Sequence, residues 1–223
     1  MNPPLPSQIA LPLAARGPAG AQRIVIGNAN AQVADALQAP EQWPFRVAVL
    51  TGPPRSGKSL LARWAQGLAT GAQLDVIDDA ETQDETDLFH RWNAVQQGGG
   101  RATASGGAAL LLVANVDEGQ GGWRIALPDL ASRIGGSLHL NISAPDDAFA
   151  ADLIHALAEQ RGLTLPEGAA EYLVPRTIRS FAAVEALVAT IDRISLERQA
   201  PATMSVWRAA LDALHGPEQQ RLF

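Results

Sequence analysis

Residues 52–59 read Gly52-Pro53-Pro54-Arg55-Ser56-Gly57-Lys58-Ser59, an unbroken G-x-x-x-x-G-K-[ST] pattern. Each residue type has a task in holding phosphate. The glycines let the backbone curl so that successive N–H groups converge on one anion, Lys58 neutralises the outer phosphates, and the Ser59 hydroxyl can join the shell of a Mg²⁺ ion. The flanks agree: Phe45-Arg46-Val47-Ala48-Val49-Leu50-Thr51 reads as a buried strand, and Ser59-Leu60-Leu61-Ala62-Arg63-Trp64-Ala65 opens a helix. Strand, loop and helix together predict an α/β nucleotide-binding core. The competing reading is a Gly-Pro turn that happens to hold a lysine.

The metal side of such a site needs a carboxylate at the end of a neighbouring strand. Leu74-Asp75-Val76-Ile77-Asp78-Asp79 supplies one, with Asp78 assigned to the metal shell and Asp79 to orienting water; the alternative is a pair of acids capping a strand. Asp75 interrupts the apolar run and leaves room for a different strand to carry the metal. Only 19 residues separate Lys58 from Asp78, enough for one helix and one strand. A parallel sheet short of one edge strand follows from that spacing.

Further along, Glu85 to Gln97 places Leu88, Phe89, Trp92 and Val95 at helical spacing, and glycines at 98–100 and 106–107 bracket a low-complexity loop. Ala108 to Ala114 is a continuous apolar run suited to a central parallel strand. Asn115 follows it, either as a contact to a terminal phosphate or attacking water or as an ordinary strand-end turn. Leu127 to Ile134 predicts a short helix carrying Arg133, and Ser137 to Ile142 a last strand. From Asp146 the pattern is wholly helical, in segments near 146–161, 167–174, 179–198 and 203–214, punctuated by Gly162, Pro166, Pro175 and Pro201. Arg176 and Arg179 begin the longest of these and either reach phosphates or pair with acids.

Ahead of the core, residues 1–22 are proline-rich and aperiodic, an arm whose one apolar spot is Gln8-Ile9-Ala10-Leu11-Pro12-Leu13. Such a peptide needs a partner's groove or the chain's own body to cover it. Ile24-Val25-Ile26-Gly27-Asn28-Ala29-Asn30 then gives a short apolar segment, where Ile26 is placed to border the nucleotide base, and a helix from Asn30 to Ala39 capped by asparagine. The domains expected are an arm at 1–22, a core at 23–144, a helical lid at 145–215 and a tail at 216–223.

Composition narrows the field. The absence of cysteine excludes disulfides, Cys-ligated zinc and thiol catalysis, and four dispersed histidines offer no ligand spacing, so a metal should arrive with the nucleotide. The net charge of −6 argues against a broad DNA-binding face, leaving at most a local basic patch. No run of 18 apolar residues and no leader-like segment is present, which makes the cytoplasm the expected location, with no membrane partner.

Taken in order, these elements resemble the AAA+ proteins of the DnaA family, and specifically the short DnaA-related regulators called Hda. The resemblance rests on Gln8 to Leu13, which looks like a sliding-clamp-binding hexapeptide; on Ile24 to Asn30; on the phosphate loop and Asp78-Asp79; on Leu88-Phe89-His90-Arg91-Trp92-Asn93; on Leu127-Pro128-Asp129-Leu130-Ala131-Ser132-Arg133; and on the helical lid. It implies ADP or ATP with Mg²⁺ as ligands. It also implies a clamp anchor made by Gln8, Leu11, Pro12 and Leu13, and an arginine finger, Arg133, acting in trans on DnaA-bound ATP. The C-terminal Gln219-Gln220-Arg221-Leu222-Phe223 has the form of a second clamp peptide through Gln219, Leu222 and Phe223. The family's phosphate-sensing arginine falls on Ala182, with Arg179 one turn earlier, which favours retention of ADP over hydrolysis by this chain itself.

The resemblance therefore implies a nucleotide-bound regulator that links clamp to initiator and represses re-initiation of replication. It would touch DNA at most indirectly, and self-association through the AAA+ interface stays open. A self-sufficient ATPase, initiator-like or helicase-loader-like, is the alternative. Residues 199–223 hold only Arg208 and Arg221 as cations, too little for a DNA-binding helix-turn-helix domain. A generic phosphate-loop domain with a merely structural hexapeptide is the third reading.

Overall fold

The computed structural model describes residues 24–68, 74–98, 109–116 and 123–215. Both proposed clamp peptides and most of the glycine-rich segment at 98–107 lie outside these residues. The chain divides into two units, Asn30–Ser143 and a second made of Met1–Ala29 with Ala144–Phe223.

The first unit is built on a four-stranded parallel sheet of β1 (Val47–Gly52), β2 (Leu74–Ile77), β3 (Ala109–Asn115) and β4 (Leu138–Asn141), in the order β2-β3-β1-β4. The two central strands are nearly all apolar and buried, as a sheet covered on both faces requires. Val47, Val49, Leu110 and Leu112 face one layer, where they pack with Leu88, Trp92 and Val95 of α3 (Glu85–Gln96) and Leu130 and Ile134 of α4 (Pro128–Gly135). Helix α1 (Ala31–Leu37) and helix α2 (Lys58–Leu68) complete the unit. Strand β2 lies at the sheet's edge, and no strand flanks its outer side among the described residues, in keeping with the short spacing between Lys58 and Asp78.

Two boundaries differ from the periodicity reading. Strand β1 starts at Val47 rather than Phe45, because Phe45 and Arg46 both take φ of 54° in a 3₁₀ turn after Pro44, a left-handed backbone that cannot enter a strand. Asn30 holds the N-cap position of α1 but makes no side-chain cap bond there. The helix is secured by its buried Val33, Ala34 and Leu37.

The second unit holds α5 (Asp147–Gln160), α6 (Ala169–Leu173), α7 (Phe181–Arg198) and α8 (Met204–His215). They share a core of Ile154, Leu173, Leu187, Val188, Ile191 and Trp207. Asp146 joins the segment before the first unit to this bundle: one carboxylate oxygen caps α5 at Phe149 N (2.8 Å) and the other accepts from Asn28 Nδ2 (2.6 Å). Gly27 is required beside that contact, since a Cβ there would lie 2.4 Å from the Phe149 ring.

Candidate functional site

Register brings the expected site residues together. Gly52 at the end of β1 pairs with Asn115 at the end of β3, and β2 ends alongside, at Ile77 opposite Leu112, so the loop and the acids after β2 leave the same edge of the sheet. Ligands of open parallel sheets bind at that edge. Gly52 turns the chain out of β1 at φ +152°, with no room for a side chain: a Cβ would meet Cβ and O of Ile142 at 3.0 Å. Arg55 and Gly57 take φ of 65° and 85°, left-handed steps of the kind that aim successive N–H groups into one concavity.

Lys58 begins α2 and is only 5% exposed. Its ammonium donates to Gly52 O (2.9 Å), Pro53 O (2.7 Å) and Ser56 Oγ (3.4 Å). Burial pushes its pKa below the ordinary lysine value, while Glu81, then Asp78 and Asp79, pull it back up. Three neutral oxygens are weaker partners for a buried cation than phosphate oxygens, so Nζ is suited to trade them for a polyphosphate. Ser59 follows, half-buried at the head of α2.

Asp78 and Asp79 are exposed in the turn after β2, and Asp79 takes the left-handed φ of 50°. Asn115 is drawn to this acidic side: Nδ2 donates to Asp79 Oδ1 and to Glu81 Oε1, each at 2.9 Å. Glu81 is the residue that motif reading misses. It lies in the 3₁₀ turn Ala80–Thr82, which buried Ala80 and a Thr82 Oγ1 to Asp79 O bond (2.8 Å) hold against the core. An acid two positions past a strand-end Asp-Asp was the only available signal. Asp75, read as a weakness in β2, is paired with Arg91 of α3 at 2.9 Å, which explains its tolerance in an edge strand.

Among the described residues no three carboxylate or imidazole groups form a metal site by themselves. A Mg²⁺ ion held here by Ser59 and Asp78 would have to take further ligands from phosphate oxygens and water. The buried cation, the left-handed loop and the facing carboxylates fit that group.

Arg133 is at the end of α4, with its guanidinium carbon 4.7 Å from the centre of the Phe89 ring and 4.6 Å from that of Trp92. Glu85 helps to set α4 in place, its carboxylate accepting from Ala126 N (2.8 Å) and Leu127 N (2.6 Å) just before the helix. Stacking on aromatic rings consumes none of the five N–H donors of an arginine. The other expected contributors, Ile26 and Arg179, belong to the second unit. Arg179 is bound there by Asp147 in a two-pronged pair, Nε to Oδ1 at 2.8 Å and Nη2 to Oδ2 at 3.0 Å, and Arg176 stacks on Tyr172 at 4.1 Å.

Residues 147–211 match the family model described as the lid domain of Hda. The fold of the chain is similar to that of domain III of the Thermotoga maritima replication initiation protein DnaA (TM-score 0.67, 14% identity, covering 87% of this chain and 95% of that one). The helical segment is thus similar to the Hda lid, and the chain has a fold similar to that of DnaA domain III. Similar folds include the replication initiator DnaA bound to AMPPCP and single-stranded DNA (TM-score 0.58, 15% identity, 79% and 66% covered). Another is the Thermotoga maritima RuvB Holliday junction branch migration motor (TM-score 0.56, 15% identity, 84% and 68% covered). No curated protein matches the sequence. The match to the lid model runs from the start of α5 into α8, and the four-stranded unit carries the phosphate loop. No helix among the described residues is long and apolar enough to cross a membrane.

Proposed function

We propose that this Hda-like chain is an adenine-nucleotide-binding regulator of replication initiation that docks on the DNA sliding clamp and promotes hydrolysis of DnaA-bound ATP. The reading is carried by the conjunction of an intact phosphate loop with a lid of the Hda type in one chain. Lys58, Ser59 and the loop amides of Gly52 to Gly57 hold the phosphates of ADP or ATP, with Asp78 and Asp79 on the metal side. Mg²⁺ supplies charge neutralisation between phosphates and carboxylates when bound.

Arg133 serves as the finger for the partner's ATP: lying over the Phe89 and Trp92 rings, it presents donors to charge that develops on a transferring phosphoryl group. Gln8, Leu11, Pro12 and Leu13 anchor the clamp, with Gln219, Leu222 and Phe223 as a second contact. The setting is the cytoplasm, where the clamp and DnaA are the partners.

The test is clamp binding by the intact chain and by a chain lacking residues 1–14, followed by DnaA ATP turnover with wild type and Arg133→Ala. Loss of clamp binding on truncation, and loss of stimulation in the substituted protein with nucleotide binding intact, are the expected results. Retained stimulation by Arg133→Ala removes the finger role. A second reading, a self-sufficient ATPase, is favoured by the carboxylates of Asp78, Asp79 and Glu81 grouped near Lys58. Steady-state turnover by this protein alone, free of clamp and DnaA, would decide for it.

A further inference from the structure

Glu81 has a divided environment. Oε1 accepts from the Asn115 amide, which also holds Asp79 Oδ1, both at 2.9 Å, so one amide nitrogen spends its two hydrogens on two carboxylates. Oε2 is buried with no hydrogen-bond partner within the protein. A carboxylate oxygen removed from water without a donor is costly, and the backbone allows no easy escape: Ala80 is 1% exposed and Thr82 Oγ1 ties the turn to Asp79 O. Of the carboxylates acting on Lys58, Glu81 acts most strongly. Asp78 and Asp79, by contrast, are exposed to solvent.

A site whose cation and acids face one another beside a phosphate loop explains the orphaned oxygen if its donor arrives with the ligand. We propose that Glu81 is the outer carboxylate of the metal–nucleotide site, accepting a hydrogen bond through Oε2 from water in the Mg²⁺ shell that accompanies a nucleoside di- or triphosphate. Its attachment to Asn115 holds it in place, so Glu81 is a positioning residue for the hydrated ion rather than a direct ligand. The Mg²⁺ dependence of nucleotide binding is then set by Glu81 as well as Asp78. This rests on the nucleotide-binding reading of the loop given above.

The experiment is calorimetric titration of the full chain with ADP and with ATP, in Mg²⁺ and in EDTA, for wild type, Glu81→Gln and Glu81→Ala, with unfolding curves to establish that each is folded. Wild type should bind more tightly in Mg²⁺ than in EDTA. Both substitutions should cut that Mg²⁺ advantage by about tenfold or more, the effect typical of losing a group that orients a metal shell, while binding in EDTA holds or strengthens as a negative charge leaves the phosphates. If Glu81 only offsets the charge of Lys58, affinity will rise equally in both buffers and the Mg²⁺ advantage will be unchanged, which overturns the proposal. An unchanged affinity in both buffers, or a wild type that gains nothing from Mg²⁺, overturns it as well. A wild type that binds neither nucleotide in either buffer removes the nucleotide reading itself.

Discussion

The two units treat the cations assigned to phosphate in opposite ways. In the core, Lys58 is buried and donates to neutral loop oxygens while three carboxylates act on it from nearby, and one of them keeps an oxygen unbonded. In the lid, Arg179 is closed onto Asp147 and Arg193 onto Glu197, each at 2.8 Å, and Arg176 lies on Tyr172. A group with weak neutral partners gains when an anion replaces them, whereas a guanidinium already in a two-pronged pair must first give that pair up. The phosphate loop is therefore prepared for an anion, whereas Arg179 can take one only at the expense of the pair it already makes.

The largest expected effect tests the prepared side. Replacing Lys58 with alanine should weaken ADP and ATP binding by about 100-fold or more, the scale set by losing a buried, hydrogen-bonded cation from an ionic contact, with the unfolding midpoint little reduced. Calorimetric titration measures it, and a small loss of affinity would end the claim that the core is the ligand-ready half.

Gly52→Ala comes next. A Cβ at 3.0 Å from Ile142 and a φ of +152° should cost about 1–3 kcal/mol of stability, read by urea denaturation, and should distort the loop enough to weaken nucleotide binding in parallel.

Arg179→Ala sharpens the lid side. The exposed pair with Asp147 should be worth less than about 1 kcal/mol to stability, and nucleotide affinity should fall by less than about tenfold because the guanidinium is already committed to Asp147. An affinity loss as large as that of Lys58→Ala would erase the contrast between the units.

The smallest effect is one of pH. Asp84 caps α3 through bonds from Asp87 N (3.2 Å) and Thr86 N (2.8 Å), and these backbone N–H groups hold its carboxyl below the ordinary aspartate pKa. A depressed carboxylate stabilises the fold above its unfolded pKa and loses that contribution as pH falls through its folded value. Stability measured from neutral to acid pH should therefore decline more gently in Asp84→Asn than in wild type. An identical acid limb would show that the charge on the capping side chain contributes nothing.

Much of this arrangement was legible in the residues themselves. Gly52 to Ser59 announced the loop, and the run Ala108–Ala114 announced a central strand because full burial leaves little room for polar alternation. The lid helices were bounded by their glycines and prolines. What escaped were facts of the third dimension. Glu81 follows a left-handed turn at Asp79, so its approach to Lys58 depends on a backbone reversal that an aspartate seldom makes and that spacing does not encode. Phe89 and Trp92 had the period of a buried helix face, and Trp92 is indeed buried. That the two rings also carry Arg133 depends on how α3 and α4 meet. The strand boundary at Val47 was hidden for the same reason as Glu81: two ordinary residues, Phe45 and Arg46, adopt a conformation their side chains disfavour.

The burial of Lys58 has a practical corollary, because it is the only lysine in all 223 residues. Apart from the α-amino group, the chain offers amine-directed reagents one target, at the floor of the phosphate loop, where burial disfavours the charged form of the amine. Acylation at this one position, followed by intact-mass spectrometry with and without added nucleotide, therefore reports on the phosphate loop alone. A single lysine thus makes any amine modification outside the α-amino group a report on one place in the fold.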